Sequence, residues 1–357
     1  MLHAPALILT GLGQPPILDE IKLTAPERSE VLVQMMASGL CHTDISYLRD
    51  ARVTPVLLGH EGAGIVEAIG EDVLGVAVGD HVVINWQAKC NRCRRCIAGR
   101  QDLCENIQGT LSPRTFWRDK PLPVMLNAGT FCPYVIVPQG GAVPIRRDMP
   151  FEKAAMLGCA VATGVGASLY TAQVSFGDSV VVIGAGGVGL NVLQGARLAQ
   201  ASQIIAIDLS DTKLKLAQKY GATHMINSND DVLTIVKQLT NGRGVDHVFE
   251  VVGIPDLMLK GIEMLARGGI LTLVGATARD ATLPFFPRRF MSQQQKIQGC
   301  IYGNIRPQRD LPLFADWYMG GNLLLDELHT TTVTLEELPQ VFATLQQDRG
   351  IRPIITF

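Results

Sequence analysis

Residues 184–189 read Gly-Ala-Gly-Gly-Val-Gly and directly follow the β-branched apolar run 180–183. A G-x-G-x-x-G set between a strand and a helix, here expected over residues 190–199, constrains the backbone more than any other stretch of this chain. Gly184 permits a tight turn, Gly186 lets a pyrophosphate approach the backbone, and Gly189 lets the helix pack closely on the strand. Gly187 and Val188 lie in the same turn, where the N–H groups of the helix N-terminus face an anion. Asp208 ends the next apolar run, the place of an acid that binds adenosine ribose hydroxyls. A 2′-phosphate beside that carboxylate would be repelled and no arginine follows to receive it, so the fingerprint reads as NAD rather than NADP. Lys213 reads either as a second ribose partner or as a solvated helix lysine.

The fingerprint belongs to a regular pattern. Strand-length apolar runs at 180–183, 204–207, 224–226, 247–251, 270–274 and 296–299 alternate with amphipathic stretches, which predicts an α/β domain of the Rossmann type with a doubly wound parallel sheet. Earlier, short alternating runs at 31–34, 63–68, 81–84 and 134–137 are broken by many Gly and Pro, predicting a barrel-like β domain. A last segment from Tyr302 holds an amphipathic helix over 335–346 and the apolar Ile354-Ile355-Thr356, expected to rejoin the first domain. The expected division is therefore 1–160, 161–301 and 302–357, and 357 residues with 47% hydrophobic content can fill two cores. Lys and Arg number 31 against 33 Asp and Glu, a net charge of -2 that favours a small neutral substrate over nucleic acid or an anionic membrane. The first residues lack a secretory pattern, and apolar runs such as 180–183 fall far short of the ~20 residues of a membrane span. A soluble, cytoplasmic protein is expected.

In a reducing compartment the 8 cysteines read as ligands, catalytic groups or core rather than disulfides. Cys90, Cys93, Cys96 and Cys104 form C-x2-C-x2-C-x7-C, whose four thiolates can close a tetrahedral shell around a structural zinc. An iron–sulfur cluster is the weaker reading, given the long last spacing and the absence of a following proline. Arg92, Arg94, Arg95 and Arg100 raise a zinc-ribbon module for nucleic acid, which the net charge disfavours.

Two further motifs, Cys41-His42-Thr43-Asp44 and Gly59-His60-Glu61-Gly62-Ala63-Gly64, resemble the N-terminal ligand motifs of the medium-chain zinc alcohol dehydrogenases. Residues 157–164, Leu-Gly-Cys-Ala-Val-Ala-Thr-Gly, resemble that family's third ligand segment, and the motifs run in family order along the whole chain. The resemblance implies a GroES-like catalytic domain and a catalytic zinc on Cys41, His60 and Cys159, with an open fourth position for a hydroxyl whose pKa falls toward ~7. Asp44 and Glu61 resemble residues that orient and tune that zinc, Glu61 also as an alternate ligand. Thr43 matches the hydroxyl that touches the substrate oxygen and starts a proton relay, but Ser46 stands where the animal enzymes have the terminal histidine. Protons would then leave through water or His42.

The same likeness places His42, Thr163, Val188 and Arg352 along the cofactor, His42 and Arg352 near the pyrophosphate. Thr43, Trp86, Met125, Leu126, Ala276 and Ile301 would line an apolar cleft for a primary aliphatic or aromatic alcohol, oxidised reversibly to its aldehyde with NAD. A homodimer, or a homotetramer, is expected. A glutathione- or other thiol-dependent formaldehyde dehydrogenase is the near alternative, weakened by Gln108 where that branch carries an arginine. A catalytically silent zinc- and NAD-binding protein is the alternative of another class. Cys132 and Cys300 match no ligand motif and read as core.

Overall fold

In the computed structural model, which describes residues 1–345 and 352–357, the chain forms two compact units, Met1–Cys159 with Arg306–Phe357, and Ala160–Ile305.

The first unit holds two sheets. Five strands run in the order Val56–Leu57, Leu2–Leu9, Ile17–Leu23, Thr115–Trp117 and Lys120–Pro121. The other sheet is built around Glu30–Gly39, which pairs along one edge with Glu61–Ile69 and along the other first with Tyr134–Pro138 and then with Pro353–Thr356. The chain end thus returns to the first domain as expected, Ile354 opposite Gly39. That central strand extends beyond the expected run 31–34 because the C-terminal strand supplies partners for its second half. Leu7, Leu9, Leu58, Phe131, Phe342 and Ile355 close one core. The helix expected over 335–346 spans Leu338–Leu345 among the described residues, and Gln346 lies outside them.

The second unit is a six-stranded, wholly parallel sheet. Its spatial order is His224–Asn227, Gln203–Asp208, Ser179–Ile183, Val245–Glu250, Leu265–Leu273 and Lys296–Gly299. All six expected strands are present, and the order reverses at Ser179–Ile183, the switch point where doubly wound sheets bind ligands. The fifth strand starts at Leu265 rather than 270 because its register jumps from Val245↔Leu265 to His247↔Ile270, which absorbs the Arg267-Gly268-Gly269 turn. The boundary also falls later than the expected 301, since Tyr302–Asn304 packs on the helix Ala162–Gly166, where a Cβ on Gly303 would lie 2.2 Å from the Ala162 carbonyl.

One helical stretch, Phe151–Thr171, is long and apolar enough to cross a membrane. This corrects the expectation of short apolar runs only. The stretch is 78% buried inside the protein over its apolar window, as a core helix is.

A buried charge fixes the segment that follows the cysteine loop. Glu30, 1% exposed, accepts from Arg114 Nε at 2.6 Å and from the backbone N–H groups of Leu111 and Glu27, both at 2.9 Å. Removing the guanidinium strands a buried carboxylate. Arg114→Met is therefore expected to lower stability by about 3–5 kcal/mol, and adding Glu30→Met to recover part of it, as read from chemical-denaturation midpoints.

Candidate metal and cofactor sites

The chain leaves the central strand at Gly39, and Cys41 becomes the N-cap of the helix His42–Asp50. Asp44, in the first turn, works in two directions. Its Oδ2 accepts the Cys41 N–H at 2.8 Å, and its Oδ1 lies 3.1 Å from His60 Nδ1. Since a carboxylate only accepts, a ring proton sits on Nδ1, which leaves Nε2 as the nitrogen that can offer a lone pair to a metal. His60 is fully buried, and Nε2 has no partner among the described residues. Glu61 opens the next strand, with Oε1 paired to Arg352 and Oε2 unpartnered. Cys159 arrives from the π-helical turn Leu157–Val161.

The ligand atoms of Cys41, His60, Glu61 and Cys159 lie within 4.8 Å of one another, and all four residues are buried. Two thiols, an imidazole lone pair and a carboxylate oxygen suit a tetrahedral zinc. Gly39 makes room for this, since a Cβ there would fall 2.4 Å from Glu61 Oε2.

Without a cation these groups strain against one another. Hydrogen bonding to Cys159 is the largest of the effects that pull the Cys41 thiol well below its usual range, while the same bond and burial push the Cys159 thiol well above it. Burial pushes Glu61 up to about 7 against the pull of Arg352. Burial opposes protonation of His60, but the Asp44 carboxylate and the Cys41 sulfur together outweigh it and hold the imidazole well above its ordinary value. A divalent cation satisfies all of these groups at once.

Trp86, 9% exposed, meets His60 edge to face at 6.4 Å, and Thr43 Oγ1 lies 3.6 Å from Cys41 Sγ. Arg352 is only 4% exposed and bound to Glu61, a role that the resemblance did not supply. Ser46 donates to the His42 carbonyl at 3.1 Å, and His42 is exposed. Met125 corrects the expected pocket lining: at 1% exposure it belongs to the core around Phe131, and Leu126 packs against that core.

The cysteine loop forms a second cluster within the same 4.8 Å limit. Backbone N–H groups of Cys90, Cys93 and Cys96 point at the sulfurs of Cys104, Cys90 and Cys93 at 3.4, 3.3 and 3.5 Å, and all eight cysteines are free of disulfides. N–H donors stabilise thiolates: those of Glu105 and Cys96 bring Cys93 down to about 6, while burial pushes Cys96 up to about 12. Lys89, 5% exposed, donates to Gln87 Oε1 at 2.5 Å; burial lowers its ammonium pKa, against the opposing charges of Cys104, Asp102 and Cys96. Four thiolates around one divalent cation carry net negative charge, which offsets the cost of burying that ammonium.

In the second unit the fingerprint has its required form. Gly184 has φ +102, a Cβ on Gly189 would fall 1.8 Å from the Gly184 carbonyl, and a Cβ on Gly186 would meet nothing within 4 Å. No side chain caps the helix Gly187–Leu198 at Gly186, so its first N–H groups are left for an anion. Asp208 accepts from the Ala185 N–H at 2.8 Å and the Ser210 N–H at 2.9 Å, tying the acid to the Gly-rich turn. Lys213, Thr163 and Val188 are half-buried. Ala276 and Ile301 are exposed, Ile301 at 54%. Cys132 is fully buried in an apolar cluster, and Cys300 accepts from Thr171 Oγ1 at 3.3 Å.

The sheet order, the Gly-rich turn and the two ligand clusters define a zinc-binding dehydrogenase. Residues 27–147 match the alcohol dehydrogenase GroES-like domain family, and 187–318 match the zinc-binding dehydrogenase family. Alcohol dehydrogenase class-3 of Cereibacter sphaeroides is 33% identical over 377 residues and covers 100% of both chains. An S-(hydroxymethyl)glutathione dehydrogenase of Haemophilus influenzae is 35% identical over 377 residues, covering 100% of this chain and 98% of its own. The crystal structure of benzyl alcohol dehydrogenase from Acinetobacter calcoaceticus superposes with a TM-score of 0.93 at 30% identity over 100% of both chains. The chain belongs to the zinc-containing, medium-chain alcohol dehydrogenase family.

Two outcomes follow from the metal geometry. Asp44→Asn replaces one acceptor oxygen by a donor, so zinc retention at the Cys41 site should fall about 10–100-fold in chelator competition, with the four-cysteine zinc unaffected. Lys89→Met should speed zinc loss from the four-cysteine loop alone, while Lys89→Arg retains it, as metal-release kinetics would show.

Proposed function

We propose that the protein oxidises a primary alcohol, aliphatic or aromatic, reversibly to its aldehyde with NAD as hydride acceptor. The reading is carried by the buried set of two thiols and an unpartnered imidazole nitrogen, with Glu61 held through one oxygen by Arg352. Two zinc ions per chain fit the two clusters, one held by Cys41, His60 and Cys159, the other by Cys90, Cys93, Cys96 and Cys104.

When bound, zinc supplies a Lewis acid that acidifies an alcohol hydroxyl, and the nicotinamide takes the hydride. The protein's own residues do the rest. Asp44 fixes His60 and Cys41 in place. Thr43, beside the Cys41 sulfur, offers a hydroxyl to accept the substrate proton. Ser46 has no titrating group near neutrality, so the proton leaves through water or His42. Ser46→His should shift the pH profile of turnover, and an unchanged profile would show that no terminal base is used there.

Asp208 with the Gly184–Gly189 turn supports NAD. The alcohol dehydrogenases among the relatives support the reaction class, and the benzyl alcohol dehydrogenase neighbour is compatible with an aromatic substrate. A second reading, oxidation of a glutathione–formaldehyde adduct, is favoured by relatives at 33–35% identity that bear that activity's name. The neutral Gln108 speaks against it, because a glutathione carboxylate wants a cation. We extend the proposal to a homodimer, or a homotetramer, in the cytoplasm, acting on small molecules and binding neither nucleic acid nor membrane.

The deciding measurement is a kcat/KM series with benzyl alcohol, short aliphatic alcohols and S-(hydroxymethyl)glutathione, each with NAD and NADP. Turnover of free alcohols with NAD preferred at least about tenfold is expected. Turnover confined to the glutathione adduct would establish the second reading, NADP preference would overturn the role given to Asp208, and two bound zinc ions with no turnover would point to a silent binding protein.

A further inference from the structure

A cavity of about 710 Å³ lies within the second unit, away from the fingerprint. It opens at the N-terminal ends of the strands Val245–Glu250 and Leu265–Leu273, whereas the fingerprint turn follows the C-terminal end of the parallel strand Ser179–Ile183. Roughly 15–20 Å of strand separates the two edges. Nothing in the dehydrogenase reading uses this end of the sheet.

Four cations line the cavity from separate segments. Lys237 comes from the helix Val232–Leu239, Arg243 from the following loop, Arg267 from the start of the fifth strand and Arg289 from the helix Pro287–Gln293. They face two carboxylates, Asp246 and Glu263. Asp246 is already engaged, accepting from the Ser179 backbone N–H at 2.8 Å and its hydroxyl at 2.6 Å, with Arg243 at 3.4 Å. Burial raises its carboxyl, but the hydrogen bonds from Ser179 and the charges of Arg243 and His247 together keep it below its usual value. Arg289 donates to the Ile262 carbonyl at 3.0 Å, and four cations against two carboxylates leave the lining with surplus positive charge.

Gln295, 7% exposed, braces the wall from beneath, donating from Nε2 to the carbonyls of Leu265 and Ala266 at 3.1 and 3.3 Å, with its Oε1 shut off from the cavity. Arginine forks match phosphate oxygens, and the volume, within the range of small-molecule sites, exceeds what a phosphate group alone fills.

We propose that this cavity is a second small-molecule site that binds a phosphate ester of a small polar compound. The phosphate lies on Arg243, Arg267 and Arg289.

The test titrates the holoenzyme, with its cofactor site filled by saturating NADH, with ribose 5-phosphate and separately with inorganic phosphate in a calorimeter. Saturable binding of ribose 5-phosphate is expected, weakened at least about tenfold in Arg243→Ala/Arg267→Ala, whose side chains are exposed and replaceable without disturbing the core. Arg267→Glu serves as a second variant should the double variant fail to fold, and it should abolish binding. Tighter binding of the ester than of inorganic phosphate assigns the site to esters. Equal binding keeps the anion site and overturns its assignment to esters. No saturation up to about 10 mM, or binding unchanged in the charge variants, overturns the proposal.

Discussion

Burying four ionisable side chains within a few ångströms of one another has one stable resolution, and much of the first unit is arranged around it. Cys41, His60, Glu61 and Cys159 each meet a neighbour that resists their individual charge states, and a divalent cation relieves them together. Asp44 is the joint of this arrangement, because one carboxylate both caps the helix carrying Cys41 and fixes the tautomer of His60. Arg352, brought back by the C-terminal strand, holds Glu61 by one oxygen and leaves the other beside the ligands. The metal site is thereby tied to the return of the chain end as well as to the ligand loops.

The second unit solves a different problem by backbone geometry. Its sheet order places the Gly-rich turn at the switch point, and the close approach at Gly189 admits no side chain. Asp208 is hydrogen-bonded to that turn, so acid and anion-binding backbone are positioned as one piece. The cysteine loop is simpler still. It draws its order from its sulfurs, the N–H groups aimed at them and a buried Lys89 that balances their charge.

Much of this was legible from residue spacing. The six parallel strands and the four-cysteine loop are local signals, each carried by a short run whose chemistry admits few readings, whereas the dispersed ligand residues were legible through the family resemblance of their motifs. Where sequence reasoning went astray, the missing information was non-local. Met125 has the apolar character of a pocket wall and of a core residue alike, and only its neighbours around Phe131 decide between them. The second half of the strand Glu30–Gly39 carries weak strand signals in Met-Met-Ala-Ser-Gly, and along one edge its partner comes from residues over three hundred positions away. The helical stretch Phe151–Thr171 is apolar because protein surrounds it, a property of its environment that no window of sequence contains.

The sequence by itself determined the four-cysteine loop and the Gly-rich turn, since thiolate spacing and glycine placement are chemical requirements met within a few residues, and its motifs together carried the family resemblance. Tertiary structure alone decided that Arg352 serves Glu61, that Gly39 exists to clear Glu61 Oε2, and that four cations meet in a cavity at the far edge of the parallel sheet. Those contacts join segments distant along the chain. Their energetics depend on burial and distance, which appear only once the chain has folded.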